Sequence, residues 1–256
     1  MTLQSSGQIS LNDLHVEAGG NSGTQAGMND TDIRGLINKS SGATMSFNEW
    51  YGASNIVPLT FTHQWTGYRH NTGGSYNYGS MYSGGSVQAG DFILFNSVAY
   101  SLGTTPTGFT TISSGYAGYS VVYYNSSYRI ATSAETSVSG FASNTSTIVV
   151  SVYRPSGTIN TVTPTVSTTS SNSGTINASN ASTNHIFFAN VYHDDEESLT
   201  LANYDGQINS GNGWGDGQVT TNTKVGHQDG GGSYGNKSFS IWDATKIVYG
   251  YIEISG

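Results

Sequence analysis

The densest chemistry in this 256-residue chain is a run of charge, His193-Asp194-Asp195-Glu196-Glu197. Four adjacent carboxylates repel one another, and a bound cation would relieve the repulsion. Calcium is the ion that prefers such oxygen ligands. Asp194, Asp195, Glu196 and Glu197 are therefore candidate metal ligands, with Asp205 or Asp216 as further donors. The alternative is a solvated acidic loop, because the stretch from Asp205-Gly206 to Asp216-Gly217 lacks the terminal glutamate of an EF-hand. Paired carboxylates also serve glycoside hydrolysis, but that reaction needs a fixed separation, and nothing in the sequence imposes one. The histidines His15, His63, His70, His185, His193 and His227 show neither HxH nor HExxH spacing. Gly231-Gly232-Ser233-Tyr234-Gly235 has the letters of a nucleophile elbow, and with Lys237-Ser238 nearly spells a phosphate loop. Both motifs need a helix to follow, and a strand is expected there instead. No catalytic residue is assigned and calcium is the sole cofactor considered. The enzymatic alternative is a polysaccharide depolymerase working through the acidic run.

The aromatic residues suggest a second kind of chemistry. Tyr68, Tyr76, Tyr78 and Tyr82 lie among Gly, Ser and Asn, and Trp214 lies in Asn-Gly-Trp-Gly-Asp. Rigid amphipathic rings beside adaptable polar groups are what recognition surfaces are made of, and sugar rings stack on such aromatics. The competing reading is packing of tyrosines between strands or subunits.

Composition narrows the classes. Charged residues are 9%, the formal net charge is −8, and eight Lys and Arg are scattered along the chain. A nucleic-acid binder needs clustered cations, so that class is excluded. No apolar run is long enough to span a membrane, and the first residues carry no signal-peptide pattern. With no cysteine, there are no disulfides or thiolate metal sites. Aromatics at 12% and repeated Val/Ile/Phe/Tyr runs argue against disorder.

These residues need elements to hold them. Residues 1–55 carry a degenerate repeat: Ser5-Ser6-Gly7-Gln8-Ile9-Ser10-Leu11-Asn12-Asp13-Leu14 recurs as Ser40-Ser41-Gly42-Ala43-Thr44-Met45-Ser46-Phe47-Asn48-Glu49-Trp50. Ser10 with Asp13 and Ser46 with Glu49 read as capping boxes that start short helices. The first helix ends at Gly19-Gly20, and Asn29 with Asp32 starts another. The expectation is a small α+β module of two strand-then-helix units. Residues 56–256 alternate β runs with turns. Strands are expected at 57–65, 92–100, 119–124, 128–132, 135–141, 147–153, 157–166, 185–192, 239–243 and 246–254. Turn signals are Pro106-Thr107-Gly108, Asn125-Ser126, Arg154-Pro155-Ser156-Gly157 and Ser171-Asn172-Ser173-Gly174. His70 to Ser86 is a loop or a pair of short hairpin strands. The fold class is mainly β: an antiparallel, jelly-roll-like β-sandwich, or two small tandem sandwiches joined near Pro155 to Ser173.

The string SSGQISLNDLHVEAGGNSGTQAGMNDTDIRGL, followed by SSGATMSFNEWYGAS, resembles the N-terminal module of virion structural proteins of tailed bacteriophages, in particular tail-fibre and appendage proteins of marine phages such as cyanophages. It covers about a fifth of the chain. Gly90-Asp91-Phe92-Ile93-Leu94-Phe95, Pro106-Thr107-Gly108-Phe109 and Tyr128-Arg129-Ile130-Ala131-Thr132 also look like phage-associated β-sandwiches. The resemblance implies location in the virion. It implies attachment to other virion proteins or to further copies of the chain through Ile9, Leu11, Leu14, Met45, Phe47, Trp50 and Tyr51. The β domain would then meet a host surface glycan or protein. A homo-oligomer, with a trimer as the fibre-like case, is expected. A capsid decoration or head-fibre protein is the alternative with the same architecture.

Overall fold

In a computed structural model the described residues are 3–37, 39–40, 42–53, 59–101, 104–117, 123–177, 184–193, 199–201, 204–209, 220–229, 236–241 and 246–256. The chain divides into two compact units, residues 1–57 and 58–256. No helix among the described residues is long and apolar enough to cross a membrane.

The first unit is held by its caps and one buried tryptophan. Helix α1 (Leu11–Glu17) starts at Ser10, whose hydroxyl accepts from the Asp13 amide while the Asp13 carboxylate accepts from the Ser10 amide. It stops where Gly19 turns left-handed at φ +96° and the Gly20 amide bonds back to the His15 carbonyl. Helix α2 (Thr31–Gly35) has Asp30 at its N-cap position, one residue later than the sequence pattern suggests and without a side-chain capping bond. The second Ser-x-x-acid box opens a single 3-10 turn, Phe47–Trp50. Leu3, Ile9, Leu14, Ile33 and Trp50 form the core, and the Trp50 indole donates to the Ile33 carbonyl. Arg34 is 2% exposed. Its guanidinium donates to the Ser40 and Ala43 carbonyls and to Asn29 Oδ1, tying the segment between the two boxes to α2. The expected strands before each box do not form: among the described residues of this unit there are helices and extended chain, but no ladder. Ordinary extended segments suffice because the helix caps and Arg34 satisfy the backbone there.

The second unit is one antiparallel β-sandwich. Its first half holds β1 (Phe61–Thr72), β2 (Ser75–Asn77), β3 (Phe92–Ala99), β4 (Thr110–Tyr116), β5 (Tyr123–Ile130), β6 (Ser137–Ser139) and β7 (Thr145–Pro155). Its second half holds β8 (Thr161–Thr169), β9 (Ser173–Asn177), β10 (Asn184–His193), β11 (Thr200–Leu201), β12 (Gly206–Asn209), β13 (Thr220–Gln228), β14 (Asn236–Ser240) and β15 (Lys246–Ser255). Each main sheet is made from one half: β1-β7-β3-β5-β4 and β12-β13-β10-β15-β8. The boundary near Pro155 therefore separates the two layers of a single sandwich. The central core joins them, with Phe92, Leu94 and Val98 of β3 meeting Ile186, Phe188 and Tyr192 of β10.

The two halves are copies of one topology. Taking the five main strands of each half in chain order, both sheets read first-fifth-second-fourth-third. Both also send a short strand out between their first and second main strands, which pairs with another between the fourth and fifth: β2 with β6, and β9 with β14. The ladder register maps Phe92 onto Ile186, Asn96 onto Asn190, Ser126 onto Thr223 and Ile148-Val149 onto Ile247-Val248. The sheets stack with β1 against β12 and β4 against β8, the arrangement of an approximate two-fold axis between β3 and β10. Asn96 and Asn190 face each other across it, with Asn190 Nδ2 donating to Asn96 Oδ1 at 2.7 Å.

Both outer faces are covered, so β3 and β10 are apolar on both sides. Trp65, Tyr78, Met81, Val87, Val138 and Phe141 lie over Ile93, Phe95, Ile148, Val150 and Val152. The small sheet β11-β14-β9 lays Ile176, Leu201 and Phe239 over Phe187, Ala189 and Val191. Three expectations change here. Asn125-Ser126 is no turn: it lies inside β5, fully buried, and joins the two strands expected on either side of it. β4 and β13, rich in Ser and Thr, are strands where the pattern showed none. Ser173-Gly174 opens β9 instead of a turn.

Candidate recognition surface

β1 lies at the edge of its sheet, with β7 on one side. On its other side the chain returns at Tyr82, which exchanges both backbone hydrogen bonds with Tyr68 at 3.1 and 2.9 Å. Two glycines permit this approach. A Cβ on Gly67 would meet the Gly84 backbone at 2.9 Å, and one on Gly84 would sit 2.0 Å from the Tyr78 carbonyl oxygen. Beneath the return, Tyr78 and Met81 are buried against Trp65. Tyr78 is thus corrected from a surface residue to the anchor of the segment: it is 0% exposed, its ring is 5.7 Å from that of Trp65, and burial pushes its phenol up to about 12.

The other three tyrosines gather above this anchor. Tyr82 is 54% exposed, and Tyr68 and Tyr76 are half-buried. The rings of Tyr68 and Tyr82 lie 5.1 Å apart. The Arg69 guanidinium lies 5.3 Å from the Tyr82 ring and 5.6 Å from the Tyr76 ring. His70, with its ring 5.3 Å from Tyr68, meets the Thr147 hydroxyl at 2.9 Å. Burial, reinforced by the Arg69 charge, holds His70 below its ordinary value, so it is neutral at pH 7. Ser83, at the tip, is the sole described non-glycine residue with positive φ, +56°. That strain sits beside the most exposed ring of the patch. Arg69 was not among the candidate residues; the signal for it is a cation directly after Tyr68 in a stretch otherwise without charge.

The remaining candidates fall elsewhere. Ile9, Leu14 and Trp50 are corrected from attachment surface to the core of their own unit. Their side chains are consumed in folding it and leave nothing for a partner. Leu11, Met45 and Tyr51 pack against that core, with the Tyr51 hydroxyl on the Gly7 carbonyl at 2.5 Å. Phe47, at 43%, and Val16, at 37%, are the exposed large apolar residues among the described residues of this unit. Trp214, Asp216 and the run Asp194, Asp195, Glu196, Glu197 lie outside the described residues. Among the described residues no group of His, Asp and Glu could hold a metal ion.

Asp205 is bonded to His227. Its carboxylate accepts from the His227 amide at 2.7 Å and contacts His227 Nδ1 at 2.5 Å, while His227 Nε2 is 3.6 Å from Asp229. The two carboxylates, with the Asp205 hydrogen bond foremost, hold His227 above its ordinary value of 6.5. His63, bonded to Thr66 on β1 across the same seam, is pushed below it by burial. The folded chain keeps the His227 proton to higher pH than the unfolded chain does. Its stabilisation is complete below pH 6.5 and is lost as pH rises through the folded value. His63 acts oppositely, withdrawing stability as pH falls below 6.5. His227→Gln is expected to cost about 1–2 kcal/mol at pH 6 and clearly less at pH 8.5. Melting temperatures of the two proteins at both pH values check this, and an equal gap at both would refute it.

No family model, curated protein or solved structure matches this chain.

Proposed function

We propose that the chain is a structural protein of a tailed-phage virion, of tail-fibre or appendage type. Residues 1–57 attach it, and the sandwich displays a host-recognition surface of Tyr68, Arg69, Tyr76 and Tyr82. The observation that carries this reading is an asymmetry between the two copied halves. The positions of β8 equivalent to Tyr68 and Arg69 are Thr168 and Thr169. The described segment that follows, 170–177, has no aromatic residue. The connection from β2 to β3 spans residues 78–91, against 178–183 in the second half. A feature that only one copy carries is not required by the fold, and exposed tyrosines around a cation on such an insertion suit binding. The resemblance of residues 1–55 to phage attachment modules supports the virion setting, as do the low charge and the absence of cysteine. Phe47 and Val16 are the exposed apolar residues on which attachment would draw.

Particles assembled with a chain lacking residues 1–55 should contain none of it. Particles carrying Tyr82→Ser should assemble normally yet adsorb to host cells about tenfold more weakly, the loss of one aromatic anchor. Incorporation of the truncated chain would refute the attachment role. A cryo-EM map placing the chain on the capsid lattice would make it a decoration protein instead.

A further inference from the structure

Resting on the recognition-surface reading, the chemistry of Arg69 names the ligand. The Tyr82 and Tyr76 rings lie 5.3 and 5.6 Å from its central carbon. A guanidinium beside aromatic rings still has its planar N–H fork to offer, the group that takes a carboxylate or sulfate. No carboxylate among the described residues lies within ion-pair distance of Arg69. The other three arginines are spent: Arg129 on Glu135, Arg154 on Asp91, and Arg34 on backbone carbonyls. In a chain of net charge −8, this leaves a cation with unused donors at a surface patch.

Its surroundings match sugar chemistry. Tyr82, 54% exposed, offers aromatic surface to pyranose C–H groups. Asn77, Ser80 and Ser83 are exposed around it, with amide and hydroxyl groups for sugar hydroxyls. A nucleic acid would need several clustered cations, and here there is one. We propose that the patch binds an acidic polysaccharide, with a uronate carboxylate or a sulfate ester on the Arg69 fork and a sugar ring on Tyr82.

The test titrates the full chain with polygalacturonate, dextran sulfate and neutral dextran by calorimetry. Arg69→Met, Arg69→Lys and Tyr82→Ser are run alongside, with circular dichroism to check folding. One of the two anionic polymers should bind, more weakly at higher salt, and neutral dextran should not; which polymer binds separates carboxylate from sulfate. Arg69→Met should weaken binding at least tenfold, with Arg69→Lys between it and the native chain, because the ammonium keeps the charge but lacks the fork. Binding unchanged by Arg69→Met, or binding of neither anionic polymer, overturns the proposal. Host adsorption separates the two levels. Loss on Tyr82→Ser but not on Arg69→Met removes the acidic sugar and keeps the surface. Adsorption indifferent to both removes the surface itself.

Discussion

Asn96→Leu should cost the sandwich about 3 kcal/mol, and combining it with Asn190→Leu should cost much less than the sum of the two single changes. Asn96 Oδ1 accepts from Ser126 Oγ at 2.8 Å and from Asn190 Nδ2 at 2.7 Å, and all three residues are 0% exposed. Leucine at position 96 takes the acceptor from both donors and leaves Asn190 Nδ2 only its longer 3.3 Å bond to Ser126 Oγ, in an apolar interior where an unmet polar group costs roughly 1–3 kcal/mol. Asn190→Leu removes one donor while Ser126 still serves Asn96, so about 2 kcal/mol is expected. With both asparagines replaced, the amides that needed each other are gone together and only Ser126 loses a partner. A coupling of about 2 kcal/mol is expected in the cycle, read from urea midpoints at constant slope. Costs that add within 0.5 kcal/mol would show that the contact contributes nothing of its own.

The same pair explains how two copied sheets find one alignment. An all-apolar interface tolerates a two-residue slide of one sheet on the other, because the same face stays buried. Hydrogen-bonded amides at the centre do not tolerate it, since a slide leaves both unpaired. The double leucine variant should therefore keep its far-ultraviolet circular dichroism and lose near-ultraviolet signal, as the sheets stop occupying one register.

Local signals were legible in the sequence wherever one short-range rule decides the outcome. The two Ser-x-x-acid boxes become caps, and the Val/Ile/Phe runs become the buried strands. The tyrosines of the Gly/Ser/Asn segment do converge, though the polar composition around Tyr78 misplaced it on the surface, because a loop folding back on a sheet must bury something of its own. Asn125-Ser126 read as a turn because polar pairs usually reach solvent. Here Ser126 donates to Asn96 and the Asn125 amide donates to Thr105, so the pair sits in an inner strand. The duplication was hidden for a related reason. The halves conserve which face each position occupies, but seldom the residue: Ser126 against Thr223, Phe92 against Ile186, Tyr68 against Thr168. Ladder register reveals such a copy where letter matching does not.

One equivalent pair has its acid and base on exchanged strands, and it predicts a loss of similar size. Asp91 and Arg154, one step beyond the Phe92–Tyr153 pair, take the place that the pair His185 and Glu253 holds in the second half, with acid and base on opposite strands. Arg154 Nε and Nη2 grip the two Asp91 oxygens at 2.8 and 2.9 Å, and the Gln88 amide donates to the same carboxylate at 2.8 Å. The Asp91 side chain is 1% exposed and that of Arg154 34%, so the two members are not equivalent. Removing the arginine leaves a buried carboxylate with one amide for company. Arg154→Met is therefore expected to cost about 3 kcal/mol, the lower end for a broken buried pair, since partial exposure lets some water reach the site. Asp91→Asn leaves a half-hydrated guanidinium and an amide oxygen still able to accept from Gln88, and should cost about 1–2 kcal/mol. The double variant, with neither charge, should be more stable than Arg154→Met alone. Urea unfolding of the three variants tests the ordering. If Arg154→Met is no worse than Asp91→Asn, the buried carboxylate is not what the arginine is there to satisfy.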